Sequence, residues 1–501
     1  MRPVLTAAES RDLDRAARER GIRTEDLMER AGRGVAAAAL ELCGGAYGRR
    51  LVAVCGKGNN GGDAIIAARV LSAAGMTATA ILIGEPPGAA GLEAAGVRVG
   101  AATDLARELA RADVVVDGIF GSGFRGGVEG PHAEAIEAIN RSGALVVAVD
   151  VPSGVEGDTG AVRGPAVRAD VTVTFGALKV GAVLFPGAAR AGRVLVADIG
   201  FPGDLVRSDL LLTEAADVRA MLPRRGPEDH KHRSGDVLVV AGSRGMTGAP
   251  TLVAQGAYRA GAGLVHVAVP RGILSSVQPA LAEAVWLPLP EGPEGALAAG
   301  AWDELAERAA RCDAIAVGPG LTTTGETPEL VRRLVSEAPA PLVIDADAIN
   351  AFEGRPAELA ERPGEAVLTP HEGEFSRLFG MPVSELAEER VGLVRKAAAE
   401  VRGVVALKGP RTLVALPDGR VRVNPTGSSA LATGGTGDVL TGIVAAFLAR
   451  GLAPEDAATA AAFVHGLAGE IAGRRSGEGT LASDVAAAIP EAVAQVLGAS
   501  S

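Results

Sequence analysis

Leu51-Val52-Ala53-Val54-Cys55-Gly56-Lys57-Gly58-Asn59-Asn60-Gly61-Gly62-Asp63 passes from a β-rich apolar run into a glycine-rich turn, and residues 64–74 continue it with a helical pattern. A short strand apolar on both faces, a tight turn and a helix make the repeating unit of a parallel α/β sheet. The unit recurs along the chain. In the first half, strand-like runs lie at 79–83, 114–116, 145–149 and 171–174; in the second, at 237–241, 264–269, 314–317, 342–344, 366–368 and 404–407. Between the halves runs Leu222-Pro223-Arg224-Arg225-Gly226-Pro227-Glu228-Asp229-His230-Lys231-His232-Arg233-Ser234-Gly235, polar, basic and broken by proline. It reads as a domain linker or a flexible active-site loop, its cations either solvated or in contact with a phosphate. The expected fold is two tandem three-layer α/β domains, 1–218 and 219–501, with ligands at the carboxyl ends of the strands.

Composition narrows the function. Aromatics are only 3% against 48% hydrophobic residues, so the cores must be built from Ala, Val and Leu. A net charge of −11 disfavours nucleic acid or an anionic membrane as partner, and local loops must hold any phosphate. Cys43, Cys55 and Cys312 are few and far apart, which suits buried thiols in a reducing cytoplasm. No secretory signal is expected after Met1-Arg2-Pro3, and no apolar run approaches a bilayer span.

Two loops of the first half match G-x-G-x-x-G, one within 56–61 and one at Gly121-Ser122-Gly123-Phe124-Arg125-Gly126. Glu85 could serve the first as the ribose-binding acid of a dinucleotide fold. Both loops cannot be the first βα turn of one domain, so they read better as converging on one ligand. Asn60, Asp117 and Ser153 add oxygen ligands at three strand ends, favouring a hard cation over zinc. Singly, each is as readily a helix cap or a turn former.

In the second half, Ala432-Thr433-Gly434-Gly435-Thr436-Gly437-Asp438-Val439-Leu440-Thr441-Gly442 places glycines and one acid at the start of an apolar helix. Backbone donors at a helix N-terminus favour anions, so a carboxylate among them points to proton or cation handling. Phosphoryl chemistry with Asp438 as base is the expectation; a plain turn is the bland alternative. His371 in Thr369-Pro370-His371-Glu372-Gly373-Glu374 would ordinarily be a capping or core histidine. Leu407-Lys408-Gly409-Pro410-Arg411-Thr412 supplies cations at a strand end, suited to a phosphate. No G-x-x-x-x-G-K-[ST] occurs, so this is not a P-loop enzyme.

The motifs 58–63, 117–123, 150–154 and 175–179, with Leu27-Met28-Glu29-Arg30-Ala31-Gly32, closely resemble the NAD(P)H-hydrate epimerase family. That resemblance implies a Rossmann-like domain in which Asn59, Asn60, Gly61, Gly62, Asp63 and Gly121 to Gly127 hold a hydrated nucleotide, with Asp150 beside its ring. It implies potassium at Asn60, Asp117 and Ser153. Asp150 and Lys179 are candidate base and acid. Ala64 stands where a glycine is expected. The second half resembles the ribokinase-like superfamily in its ADP/ATP-dependent NAD(P)H-hydrate dehydratase branch. There Ala249, Gly320, His371 and Asp438 would meet the hydrate, and Lys408, Gly409, Pro410, Arg411, Thr412 and Gly437 the adenine nucleotide. Magnesium would bridge its phosphates, with Glu372 or Glu374 as outer partners. Together the halves look like a metabolite-repair enzyme for hydrated NADH and NADPH, expected as a cytoplasmic homo-oligomer. A small-molecule kinase fused to a non-catalytic nucleotide-binding module is the alternative.

Overall fold

A computed structural model describes residues 1–223 and 234–498. Residues 224–233, the basic part of the expected linker, lie outside them. The chain divides into two compact units, Arg2–Leu210 and Leu211–Ser501. The boundary expected at 218 falls inside the helix Ala215–Met221. Val218 and Leu222 are buried in the second unit's core, so this helix belongs there.

The first unit holds a seven-stranded sheet in the order Arg98–Ala101, Thr77–Leu82, Arg50–Cys55, Val114–Gly118, Leu145–Val149, Val171–Phe175, Arg193–Ala197. Every pairing is parallel. Successive residues of one strand serve opposite layers. Leu51, Ala53 and Cys55 pack with helices Thr24–Cys43 and Asn59–Ala73, whereas Val52 and Val54 pack with Leu105–Leu109 and Gly130–Arg141. The order reverses between Arg50–Cys55 and Val114–Gly118, which opens a crevice at their carboxyl ends.

The second unit orders its strands Val285–Leu289, Leu264–Pro270, Asp236–Val240, Ala314–Val317, Leu342–Ile344, Ala366–Leu368, Val404–Leu407, Leu413–Ala415, Val421–Val423. Pairing is parallel up to Val404–Leu407 and antiparallel beyond it. Val237 and Val239 face a layer built by Gly248–Arg259, Thr436–Ala449, Pro454–Ser476 and Ala482–Leu497. Its switch point lies between Asp236–Val240 and Ala314–Val317.

Glycine lets two helices of this unit touch. A Cβ on Gly442 would lie 2.0 Å from the Val253 carbonyl oxygen, and one on Gly256 2.4 Å from that of Val439. Both tryptophans also lie here. Trp286 Nε1 donates to the Leu281 carbonyl at 3.3 Å, and the Arg333 guanidinium sits 4.1 Å above the Trp302 ring. Among the described residues no helix is long and apolar enough to cross a membrane.

Candidate functional site

At the first switch point a cavity of about 750 Å³ opens among Asn59, Asn60, Asp63, Gly121, Ser122, Gly123, Phe124, Asp150 and Lys179. The sequence Asn59-Asn60-Gly61-Gly62-Asp63 is not a loop but the first turn of the helix Asn59–Ala73. Packing demands the first of its glycines, which meets backbone, whereas the second meets the tip of a flexible side chain. A Cβ on Gly61 would lie 1.9 Å from the Gly56 carbonyl oxygen, and one on Gly62 2.4 Å from Met28 Cε. Ala64 fits because Gly118 opposes it, where a Cβ would come within 2.6 Å of the Ala64 methyl.

Asp117 is fully buried and accepts from Ser153 N (2.8 Å), Ser153 Oγ (2.6 Å) and Ile119 N (3.3 Å). Burial pushes its carboxyl up to about 6 against those donors. Asn60 Nδ2 donates to the carbonyls of Phe120 and Val149 at 3.2 and 2.5 Å. Asn60, Asp117 and Ser153 therefore sit together at three adjacent strand ends, as expected from the sequence.

Asp150 has φ +67°, a left-handed backbone on a non-glycine residue in the cavity wall. Its carboxylate takes Ser122 N at 3.3 Å and Thr174 Oγ1 at 3.0 Å, and Lys179 Nζ stands 3.3 Å away. Burial alone would raise it, but Lys179 and these donors hold it below the usual carboxylate range. Lys179 Nζ also donates to the carbonyls of Phe175 and Ala177 at 2.8 and 3.1 Å. The second glycine loop divides. Gly121 to Phe124 line the cavity, Phe124 stacking on Phe120 at 4.6 Å. Arg125 pairs instead with Asp158 at 2.6 Å, and Gly126 N donates to Glu156 at 2.9 Å ahead of Gly127. Asp14, which sequence reasoning missed, enters the cavity from the helix Ala7–Glu19, outside every motif quoted above.

In the second unit Asp438 occupies the first turn of the helix Thr436–Ala449, behind Gly435 at φ +87°. Burial, then Asp345, push its carboxyl up to about 7, with Glu374 and Asp347 adding to the shift and Lys408 opposing it. Lys408 Nζ donates to the buried Asp345 Oδ1 at 2.7 Å and lies 3.7 Å from Glu374. The cation expected on a phosphate is thus engaged by carboxylates. Asp345 Oδ2 accepts from Thr441 Oγ1 at 2.7 Å, one turn along from Asp438, which ties this helix to the strand end. A Cβ on Gly437 would stand 3.4 Å from Lys408 Nζ, so these two expected nucleotide contacts adjoin.

The other expected residues distribute around this core. Gly320, φ +67°, adjoins Ala249, whose Cβ lies 3.1 Å from where a Gly320 Cβ would be. His371 is a helix cap: Nδ1 accepts from Gly373 N and Glu374 N at 2.9 and 3.2 Å, while its ring stays half-exposed. Glu374 returns to His371 N at 2.8 Å and is buried; Glu372 is more open, 3.7 Å from Arg390. Arg411 donates to the Pro425 carbonyl, Arg390 to that of Pro410, and Thr412 Oγ1 to that of Gly409. His465, also missed, lies 2.8 Å through Nε2 from the Thr436 carbonyl. Burial pulls it down to about 4, so the neutral ring donates Nε2–H and braces the helix start.

These units define a class: two tandem nucleotide-type α/β domains, the second with the ribokinase-like fold. Residues 237–491 match the family described as NAD(P)H-hydrate dehydratase, and 24–181 that described as YjeF-related protein N-terminus. The bifunctional NAD(P)H-hydrate repair enzyme of Moorella thermoacetica is 43% identical over 95% of this chain and 93% of its own length. Its counterpart in Thermofilum pendens is 40% identical, over 96% and 94%. The Bacillus subtilis ADP/ATP-dependent NAD(P)H-hydrate dehydratase, co-crystallized with ATP/Mg2+, is 33% identical, with a TM-score of 0.51, and covers 58% of this chain and 100% of that one. The chain belongs to the bifunctional NAD(P)H-hydrate repair enzymes, joining an epimerase domain to an ADP/ATP-dependent dehydratase domain.

Proposed function

We propose that the first unit interconverts the R and S hydrates of NADH and NADPH, and that the second unit dehydrates the S hydrate with ADP or ATP. The observation that carries the dehydratase reading is Asp438, a carboxyl near neutrality within the anion-favouring first turn of a helix. Water added across the 5,6 double bond leaves a hydroxyl on C6, and hydroxide is a poor leaving group. Asp438 takes the hydroxyl proton as the oxygen attacks the terminal phosphorus, and ADP or AMP departs. Donors of Gly434 to Gly437 stabilise the phosphoryl group in flight. The C6–O bond then breaks with loss of a C5 proton, giving phosphate and NAD(P)H. Ala249, Gly320 and His371 seat the hydrate, and Lys408 to Thr412 with Gly437 seat the adenine nucleotide.

The described residues form no ready-made cage of metal-binding acids, so magnesium would arrive with the nucleotide phosphates, beside the excess of negative charge that Asp345, Glu374 and Asp438 leave around Lys408. Glu372 is the freer of its two expected outer partners. Potassium fits Asn60, Asp117 and Ser153, which offer oxygens and the single negative charge of a fully buried carboxylate. Asp150 and Lys179 serve the epimerase as the charged pair beside the ring. The protein acts in the cytoplasm as a homo-oligomer. Return of NADH absorbance from a mixture of hydrate epimers, with ADP and ATP compared, tests the function. A stable phosphorylated product without NADH would assign a small-molecule kinase instead.

A further inference from the structure

The epimerase cavity contains one more acid than a charged pair explains. Asp63 lines it from the first helical turn, is 5% exposed, and its Oδ1 has no hydrogen-bond partner. Asp150, which lines the same cavity, is held as a carboxylate by Lys179, Thr174 and Ser122. Asp14 stands as a third carboxyl on the same wall system. A buried carboxyl with an unused oxygen, sharing one cavity with a fixed carboxylate close enough to influence it, makes an acid and base pair available to one ligand.

Resting on the epimerase reading above, we propose that Asp63 is the catalytic acid that protonates ring nitrogen N1 while Asp150 takes the C6 hydroxyl proton, so that the C6–N1 bond breaks. C6 of the hydrate carries both a hydroxyl and N1, and is a hemiaminal carbon. As the O–H proton passes to Asp150, its electron pair forms the C6 carbonyl. The C6–N1 pair returns to nitrogen, which receives the proton of Asp63. Rotation about C5–C6 presents the other aldehyde face, and reclosure returns both protons in reverse. No oxidant, phosphate donor or leaving hydroxide is needed. Breaking C6–O instead would expel the poor leaving group that the dehydratase must first phosphorylate, and would place a C5 proton beside bases able to complete dehydration.

The surroundings suit these roles. Burial, then Asp150 and Asp14, drive Asp63 well above the usual carboxylate range, which keeps it a donor. Asp14 is itself raised, chiefly by burial, with Lys179 and Arg18 opposing and Asp150 reinforcing.

The full-length chain provides the test. Asp63→Asn should lower the epimerisation kcat by about 10²–10⁴-fold with KM changed little, while dehydration of purified S hydrate proceeds at the wild-type rate. Asp63→Ser, assayed with and without added formate, covers a folding failure of the amide; formate should restore part of the rate. Wild-type epimerisation in ¹⁸O-water should retain the original C6 oxygen through inversion. Obligatory entry of one solvent oxygen per inversion would overturn the C6–N1 route. Near-native kcat in Asp63→Asn would overturn the role of Asp63. A wild-type chain that does not interconvert the epimers at all would instead overturn the epimerase reading on which this rests.

Discussion

Replacing Asp438 with Asn should make the protein more stable and far less active, a pairing that a structural role for this acid cannot produce. Its carboxyl sits at about 7 in the folded chain, against an ordinary 3.8. At pH 7 about half of the molecules hold the base form, and at pH 6 about one-tenth. Dehydratase kcat should climb about tenfold per pH unit below 7 and level off above it. An amide cannot accept the hydroxyl proton, and loss of a positioned base costs about 10²–10⁴-fold. Stability runs the other way. Between pH 3.8 and about 7 the folded chain keeps a proton that the unfolded chain releases, so stability falls as pH rises through that window. The linkage is at most about 4 kcal/mol, lowered by solvent reaching a partly exposed carboxyl. Asp438→Asn should therefore melt above wild type at pH 8 and alongside it near pH 4. Thermal melts across pH, with hydrate-dependent NADH recovery at each pH, measure both effects. Near-native turnover, or a variant that melts lower at pH 8, would end the assignment of Asp438 as base.

Lys408→Met should leave Asp345 and Glu374 without their cation, costing about 3–5 kcal/mol in urea unfolding, and should move the dehydratase pH profile to higher pH. Asp117→Ala should slow epimerisation and spare dehydration, and exchanging potassium for tetramethylammonium should slow the wild-type epimerase; equal rates in both salts would remove the ion from the mechanism. A second-unit fragment starting at Leu211 should be more stable than one starting at Arg219, because the latter lacks the fully buried Val218 side chain, a loss of about 1.5–3 kcal/mol. Comparing their denaturation midpoints decides it.

Interior strands were legible because they are apolar on both faces: 145–149, 314–317, 342–344, 366–368 and 404–407 match the structure to the residue. Strands near the sheet edges escaped. Arg98–Ala101 carries Arg98 and Gly100, and in Val285–Leu289 Pro288 cuts short the β-rich Val285-Trp286-Leu287, as edge strands permit. Asp438 and the Asn60, Asp117 and Ser153 grouping were readable because each lies within or beside a strand-end loop. The engagement of Lys408 by Asp345 and Glu374 was not, since it depends on three different strand ends meeting. Nor was Asp14, which shares only space with the motifs. Gly61 and Gly62 looked like loop residues, and only the structure reveals a helix turn in which Gly61 packs directly on the Gly56 carbonyl.

The placement of Trp286 and Trp302 gives the two units different optical identities. Excitation selective for indole reports on the second unit alone, so a fluorescence melt records its unfolding and is blind to the first, whereas circular dichroism sees both. Divergence of the two curves would time the units separately within one intact chain. The reduced nicotinamide formed by dehydration absorbs where indole emits, so quenching of these same two residues offers a direct view of product leaving the site.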